Sequence, residues 1–557
     1  MPIVRLPFTQ PIESRTNSTA KDSRSVNCYF ETRGGDTKEN VKRPGLVVQT
    51  VTAALTAGAA QGMYKCNSGY LWVVINNAVS RISTGLASVA SGTLSGAVQN
   101  VYFAESANDS YLFLHNGSNG YVSTGNGSFT LIDNTSIYAV TILTGGTLYI
   151  NGQATGTFSA PGAGVTATGT PVVVGGVVVG ITITNPGSGY TATPTYTVSA
   201  GGGGGGAGAT TLVALSGFPT GAGGLAAGAA YLDGYTIVAT KIGNIYNSDI
   251  DNPNLWNPLN VTKAQADPDN IVGIVKHFNY LCVFGGWSTE FFYDAQVTPG
   301  SPLLRQDSYK NEIGCADGNS IVQFEQAVAF VGISKTHGKS VFVLDGVTPT
   351  KISTRYIDKY LNQDLVTNIQ AFVFKIEGHT FYVMSMPTSD LTFVYDFDEK
   401  QWYQWTSFSS SAEHVFAIWT AVEFNTDTIG LHATNGKIYA IRPAATSDDG
   451  ISIYWRVVTN NLDSGTMHRK FFKSGEVVGD KVSCTMSIRH YDNDFATASS
   501  WRTVTLNSVR AILYQLGQAR RRAWEFLITD NVSLRLSAFE LNEEGGEKEN
   551  DPQMGGG

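Results

Sequence analysis

Four pairs of aspartates stand two residues apart: Asp249/Asp251, Asp267/Asp269, Asp396/Asp398 and Asp492/Asp494. Side chains at i and i+2 of a strand leave the same face, a spacing that could serve a general acid and base or hold a cation. The neighbouring residues favour a plainer reading. DNPN and DPDN are turn sequences in which Asp caps backbone amides, and DFDEK ends a strand before the aromatic QWYQW. The eight histidines are scattered, with no HExxH and no His pair at ligand spacing beside a Cys. No G-x-S-x-G elbow is present. The run Gly201–Gly206 contains GxGxxG trivially, but the adjoining AGATTLVAL is strand-like and no GK[ST] appears, so a phosphate loop lacks its helix. The sequence therefore predicts no catalytic, cofactor-binding or metal-ligating residue, and neither an enzyme nor a small-molecule substrate.

Two basic runs stand apart, MHRKFFK at 467–473 and QARRRAWEF at 518–526. Strand alternation would aim Arg520 and Arg522 to one side with Trp524, and Arg521 to the other. A DNA-facing ring is open for them, but a solvated edge strand guarded by charge, or an intersubunit salt-bridge surface, is the favoured reading. Trp402, Tyr403 and Trp405 read as core or blade-to-blade packing.

The elements that would carry these residues are strands. GYLWVVIN, SYLFLHNG, GYTIVATK, NYLCVFGG, AVAFVGIS, HTFYVMSM and LHATNGKIYAI recur along the chain, most of them succeeded by a Gly- or Asn-containing turn and a second strand. Tyr235 to Tyr280 spans 45 residues, Tyr280 to Val328 spans 48, and Val328 to Phe381 spans 53. A period of roughly 40–50 residues with several strands per repeat marks propeller blades. One interval breaks the rhythm: Tyr111 to Tyr235 is 124 residues. Excising residues 135–217, a stretch rich in Gly, Thr and Val, restores it. This segment reads as a small inserted β-module, with Asn-Pro-Gly-Ser-Gly as a turn cluster. Beyond about residue 445 polar and apolar residues alternate, as in a terminal β-sandwich of five or more strands. The acidic, glycine-rich tail NEEGGEKENDPQMGGG reads as disordered.

Charged residues make up only 15% of the 557, and Gly, Thr, Ser and Asn take their place, a mix suited to strands and tight turns. A net charge of -8 argues against a protein that clamps nucleic acid tightly. The five cysteines are odd in number and widely separated, which fits folding in a reducing compartment and neither a disulfide framework nor a CxxC site. Prolines at 2, 7 and 11 interrupt any apolar signal helix, and VVVGGVVVGITI at 172–183 is too short to span a bilayer, so a soluble chain without a secretion signal is expected.

The opening MPIVRLPF, VNCYFE at 26–31, KRPGLVV at 42–48 and DNIVGIVKHFNYLCVFGGWSTEFFYDA at 269–295 resemble the packaged-DNA stabilisation proteins of short-tailed bacteriophages. The basic run ahead of WEFLITDNVSLRLSAFEL is similar too, and the inserted segment lies outside the resemblance. The likeness implies a structural virion protein made in the host cytoplasm. It would form the ring-shaped nozzle or hub of the tail, a homo-oligomer and hexamer. Its partners would be portal-adaptor ring proteins and tail needle or receptor-binding proteins, and double-stranded DNA would pass through without sequence-specific binding. The fold expected is mainly β: an irregular β-propeller of six to seven blades with an inserted β-module and a C-terminal sandwich-like domain. Its divisions would be 1–134 (N-terminal arm and first blades), 135–217 (insertion), 218–445 (remaining blades) and 446–557 (C-terminal domain and tail). Two other readings stay open. One is a propeller enzyme or lectin acting on host surface glycans, with Asp249, Asp251, Asp396 and Asp398 as first candidates. The other is a receptor-binding tail adhesin that uses the insertion.

Overall fold

The computed structural model describes residues 3–12, 23–33, 37–107, 109–132, 134–200, 206–220, 223–297, 300–363, 368–465 and 468–545. Their regular structure is nearly all strand. One α-helix, Arg355–Gln363, stands among them, and among the described residues no helix is long and apolar enough to cross a membrane. The chain divides into two compact units, one of residues 1–65, 82–88 and 319–557, the other of residues 66–81 and 89–318.

Three four-stranded antiparallel meanders lie wholly in the second unit. They start at Tyr102–Glu105, Ala230–Leu232 and Ile271–His277, and each runs on through the next three strands in sequence order. The inner strands are apolar on both faces. In Tyr280–Gly285, Leu281, Cys282, Val283 and Phe284 are all buried, and each fully buried side chain of this size contributes about 1.5–3 kcal/mol. Turn chemistry sets the register. Leu232 pairs with Tyr235 across Asp233-Gly234, both at positive φ (48° and 95°), the two-residue turn whose twist matches that of the strands it joins.

Between the first two meanders sits the insertion, built as nested hairpins. Ile137–Thr147 pairs with Ala207–Leu215, Thr155–Phe158 with Tyr196–Ser199, and Thr168–Val174 with Val177–Asn185. Its core is its own: Ile137, Phe158, Ala167, Tyr190, Tyr196 and Val213. No charged side chain occurs between Asp133 and Asp233, so buried polar atoms are satisfied by backbone and hydroxyls. The Tyr196 hydroxyl donates to the Gly169 carbonyl at 2.9 Å, and that of Tyr190 accepts from the Ala167 amide at 2.8 Å.

The first unit adds three more meanders. Two run in order from Val322–Phe324 and from Gln370–Ile376. The last, Ile418–Phe424, Asp427–His432 and Ile438–Arg442, takes its fourth strand from the other end of the chain: Gly45–Gln49 pairs antiparallel with Ile438–Arg442.

Two sheets form the terminal sandwich, and strands near the N-terminus enter both. In one, Arg535–Gly545 is flanked by Lys470–Gly479 on one edge and by Ile3–Pro7 and Thr37–Lys42 on the other. In the second, Arg24–Val26 pairs with Trp455–Val458, which pairs with Arg522–Ile528 and through it with Thr485–Asp492. Aromatic rings fill the space between. Phe8 meets Phe526 edge-on at 4.9 Å, and Phe539 packs against Phe526 at 5.2 Å and Trp524 at 5.4 Å. The residues grouped by sequence as an N-terminal arm thus include strands of the terminal sandwich.

Arg43 holds this unit together from within. Its side chain is fully buried and all five donors are used: Nε to Asn27 Oδ1, Nη1 to the Pro44 carbonyl and Asp448, and Nη2 to the Thr406 carbonyl and Asp448. The guanidinium also lies 5.0 Å from the Phe416 ring centroid. A bidentate pair with every hydrogen satisfied is the form in which a buried ion pair is tolerated.

Candidate functional site

Each predicted carboxylate pair is occupied in local structure. Asp249 Oδ1 accepts the Ile250 amide at 3.0 Å, while Asp251, at φ 50°, accepts the Tyr231 hydroxyl at 2.9 Å. Asp267 pairs with Lys310 at 2.7 Å, and Asp269 accepts the amides of Trp287 and Ser288 at 2.9 and 3.0 Å. These are turn caps and surface ion pairs.

Asp396 and Asp398 come together with a partner that the sequence does not reveal. His379 Nδ1 lies 2.8 Å from Asp396 Oδ2, and the three side chains place ligand-type atoms within 4.8 Å of one another. Their bonds explain the arrangement. Asp396 Oδ1 accepts the amides of Asp398 and Glu399, and Asp398 Oδ2 accepts the Thr380 amide. Burial opposes protonation of His379, but the hydrogen bond and charge of Asp396, with Asp398 and Glu31 adding, carry its pKa above the ordinary value. The set clamps a hairpin end. His379 and Asp396 stand 17 residues apart, so only the strand pairing of Phe381 with Asp396 discloses the contact.

The aromatic cluster is core, as its composition predicts. Trp402, Tyr403 and Trp405 are buried, and the Trp405 indole donates to the Cys28 carbonyl at 3.1 Å. All five cysteines are free and buried. Burial pushes the Cys28 thiol up to about 12 and that of Cys484 to about 11, away from the thiolate that reactive chemistry needs. Of the glycine run, residues 201–205 lie outside the described residues. The acidic tail read as disordered starts at Asn542, yet residues 542–545 close the strand Arg535–Gly545, held there by pairing with Lys470–Gly479; from 546 on it lies outside the described residues. The segment after the run, Ala207–Leu215, is a strand with no helix N-terminus to receive a phosphate.

The two basic runs do meet, though the alternation expected of Arg520 and Arg522 fails. The strand begins only at Arg522, and Arg520 and Arg521 occupy the turn before it, both exposed. Arg522 is buried with Trp524 in the sandwich. Its Nε and Nη2 donate to the two oxygens of Asp492, each at 2.8 Å, and Nη1 donates to the Leu516 carbonyl. The rings of Phe472 and Trp524 flank it at 5.1 and 5.5 Å. Nearby lies a cleft of about 610 Å³ lined by Arg469, Arg520 and Arg521 together with Asp492, Asn493 and Asp494. Both aspartates are engaged: Arg522 holds Asp492, and the Asn461 side-chain amide donates to Asp494 at 2.9 Å. The cleft thus sets three arginines beside two aspartates.

Parts of this chain are similar to known proteins. Residues 208–446 match the family described as bacteriophage P22 Gp10, beta-propeller. The tail hub protein gp10 of Salmonella phage P22 is 25% identical over 145 residues, covering 25% of this chain and 30% of that protein. Among solved structures, BamB from Moraxella catarrhalis aligns with 72% of this chain and 97% of its own, at 10% identity and a TM-score of 0.31. The WD40 domain of Neurospora crassa Pan2 aligns with 72% and 94%, at 9% identity and a TM-score of 0.34. The family match falls on the meanders from Ala230 to Arg442 and agrees with the β-propeller expected from their spacing. Over residues 208–446 the chain is similar to the phage tail hub family, in line with the resemblance its sequence carries.

Proposed function

We propose that this protein is a ring-forming structural component, a nozzle or hub, of a short phage tail, without enzymatic activity. In this reading six copies close a cyclic ring through one repeated heterologous interface. The ring retains packaged DNA, conducts it during ejection, and docks portal-adaptor proteins on one side and needle or receptor-binding proteins on the other. The single observation that carries the reading is the family match over residues 208–446. Two physical facts support it. The candidate carboxylates are tied up as caps and clamps, and a chain of net charge -8 offers little of the counterion release that would hold DNA against passage. Free, buried cysteines suit synthesis in the host cytoplasm.

Particle imaging and mass measurement test the proposal, on the protein alone and mixed with the portal-adaptor assembly. Hexameric rings in either sample are the expected result. Persistent monomers in both would count decisively against a hub.

A second role has its own observation, in the insertion. Val172, Val174, Val177 and Val179 are exposed on one face of a hairpin within an uncharged module, with Leu148, 70% exposed, near its turn. Such a surface suits adhesion. Deleting residues 135–217 separates the roles: a hub still assembles, whereas an adhesin loses attachment.

A further inference from the structure

An asparagine followed by glycine carries its own reactant. The glycine amide nitrogen, with no Cβ to shield it, can reach the asparagine Cγ when both groups are free of other bonds. Five such pairs occur in the chain, at Asn116, Asn119, Asn126, Asn151 and Asn435. The fold ties down four of them. Asn116 Oδ1 accepts the amides of Ser118 and Asn119, its Nδ2 donates to the Ser95 carbonyl, and the Gly117 amide donates to His115 Nδ1. Asn119 Nδ2 donates to the same Ser95 carbonyl, and Gly120 is buried against Phe218 and Ile132. Asn126 Oδ1 accepts the Ser68 hydroxyl, while the Gly127 amide donates to the Thr124 carbonyl. Asn435 donates through Nδ2 to the Tyr439 hydroxyl and accepts the Lys437 amide at Oδ1.

Asn151 is the exception. It stands with Gly152 at the exposed tip of a turn in the inserted module, closed by the amides of Gln153 and Ala154 donating to the Ile150 carbonyl. Among the described residues neither the Asn151 side chain nor the Gly152 amide has a hydrogen-bond partner. Gly152 has a φ of 75° and open space where a Cβ would point. We propose that Asn151 is a site of spontaneous covalent modification. The Gly152 nitrogen attacks Cγ of Asn151: the N–Cγ bond forms, the Cγ–Nδ2 bond breaks, and ammonia leaves with the proton given up by the glycine nitrogen, closing a succinimide ring. Water then opens the ring at one carbonyl or the other, leaving aspartate or isoaspartate, with no change of oxidation state. No charged side chain occurs between Asp133 and Asp233, so the product carboxylate is the module's first charge. It arises beside the exposed Leu148 and Ile150, and the Tyr149 amide between them donates to the Gly176 carbonyl at the turn of the valine hairpin. A charge there raises the cost of burying that apolar face against a partner. The chemistry does not depend on the hub reading.

Peptide mapping by mass spectrometry tests it, on the full-length protein held in warm, mildly alkaline buffer. Asn151 should convert at least about tenfold faster than each of the other four, whose bonds must open first. In concentrated guanidinium chloride, where the fold holds none of them, the five rates should lie within about threefold of one another. Asn151→Gln should remove the fastest-growing acidic form seen on ion exchange of the folded protein. A faster site among the other four, five equal rates in the folded protein, a lead of Asn151 that survives unchanged in denaturant, or an acidic form untouched by Asn151→Gln would each overturn the proposal.

Discussion

The inserted module and the terminal sandwich are both β structures, yet they are held together by opposite means. The module has no charged side chain. Its nested hairpins close over a small core of Phe158, Tyr196 and their neighbours, and its buried hydroxyls answer backbone groups. The sandwich buries Arg43, Arg522 and Glu525 and satisfies each with several partners. Glu525 Oε2 alone accepts from Arg489 Nε and the Tyr491 hydroxyl, both at 2.6 Å. What separates the two is the distance in sequence that must be bridged. Each module hairpin joins strands that the ladder itself aligns, whereas Arg43 joins Asn27, Thr406 and Asp448. An apolar strand that slips by one residue turns its whole face over. A buried guanidinium with five fixed acceptors tolerates only one arrangement.

That contrast can be broken, and the largest effect is expected at Arg43. Arg43→Met strands the Asp448 carboxylate in the interior and should destabilise the first unit by about 3–5 kcal/mol in thermal or urea unfolding. Adding Asp448→Leu should return most of the loss, since two matched apolar groups leave no buried charge behind. Titration gives the next contrast. Burial and the Arg522 guanidinium hold the His490 pKa below its ordinary 6.5 against the pull of Asp492, with Arg502 adding to the depression. The unfolded chain then takes up this proton first as pH falls. Stability of the sandwich is therefore full above pH 6.5 and declines below it. Urea unfolding at about pH 7.5 and about pH 5.5 should show the loss and His490→Gln should remove it, while the module, whose ionisable side chains are tyrosines, stays level across that range. Within the module Tyr196→Phe forfeits one hydrogen bond and should cost about 1 kcal/mol, the same at low and high salt. Smallest of all, Val172→Thr, Val174→Thr, Val177→Thr and Val179→Thr should each change stability by less than about 0.5 kcal/mol. A larger loss would mean that this face is covered in the folded protein.

Much of this organisation is legible in the residues. Fully buried inner strands such as LCVF announce themselves as short apolar runs, and turn pairs such as Asp233-Gly234 fix where one strand hands over to the next. The module stands out because its composition changes at both borders. Asp249 and Asp396 are legible as caps for the same reason, each finding a backbone amide within three residues, whereas Asp269 and Asp398 cap amides at least 18 residues away. Pairings across the whole chain are not legible. Nothing in IVRLP names Arg535–Gly545 as its partner, and His379 gives no local sign of Asp396. The arginine run misleads because alternation holds only once a strand has begun, and the turn takes up Arg520 and Arg521.

The meander ending at Arg442 is completed by Gly45–Gln49. On a ribosome adding about 5–20 residues per second, that edge emerges some 20–80 s before the strand it must join. For that interval the row of amides and carbonyls has no native neighbour, and vectorial synthesis cannot finish the first unit piecemeal. Trimming either terminus past these strands should unravel the same sheet, while a circular permutant that joins the two segments by a short loop should fold without the wait.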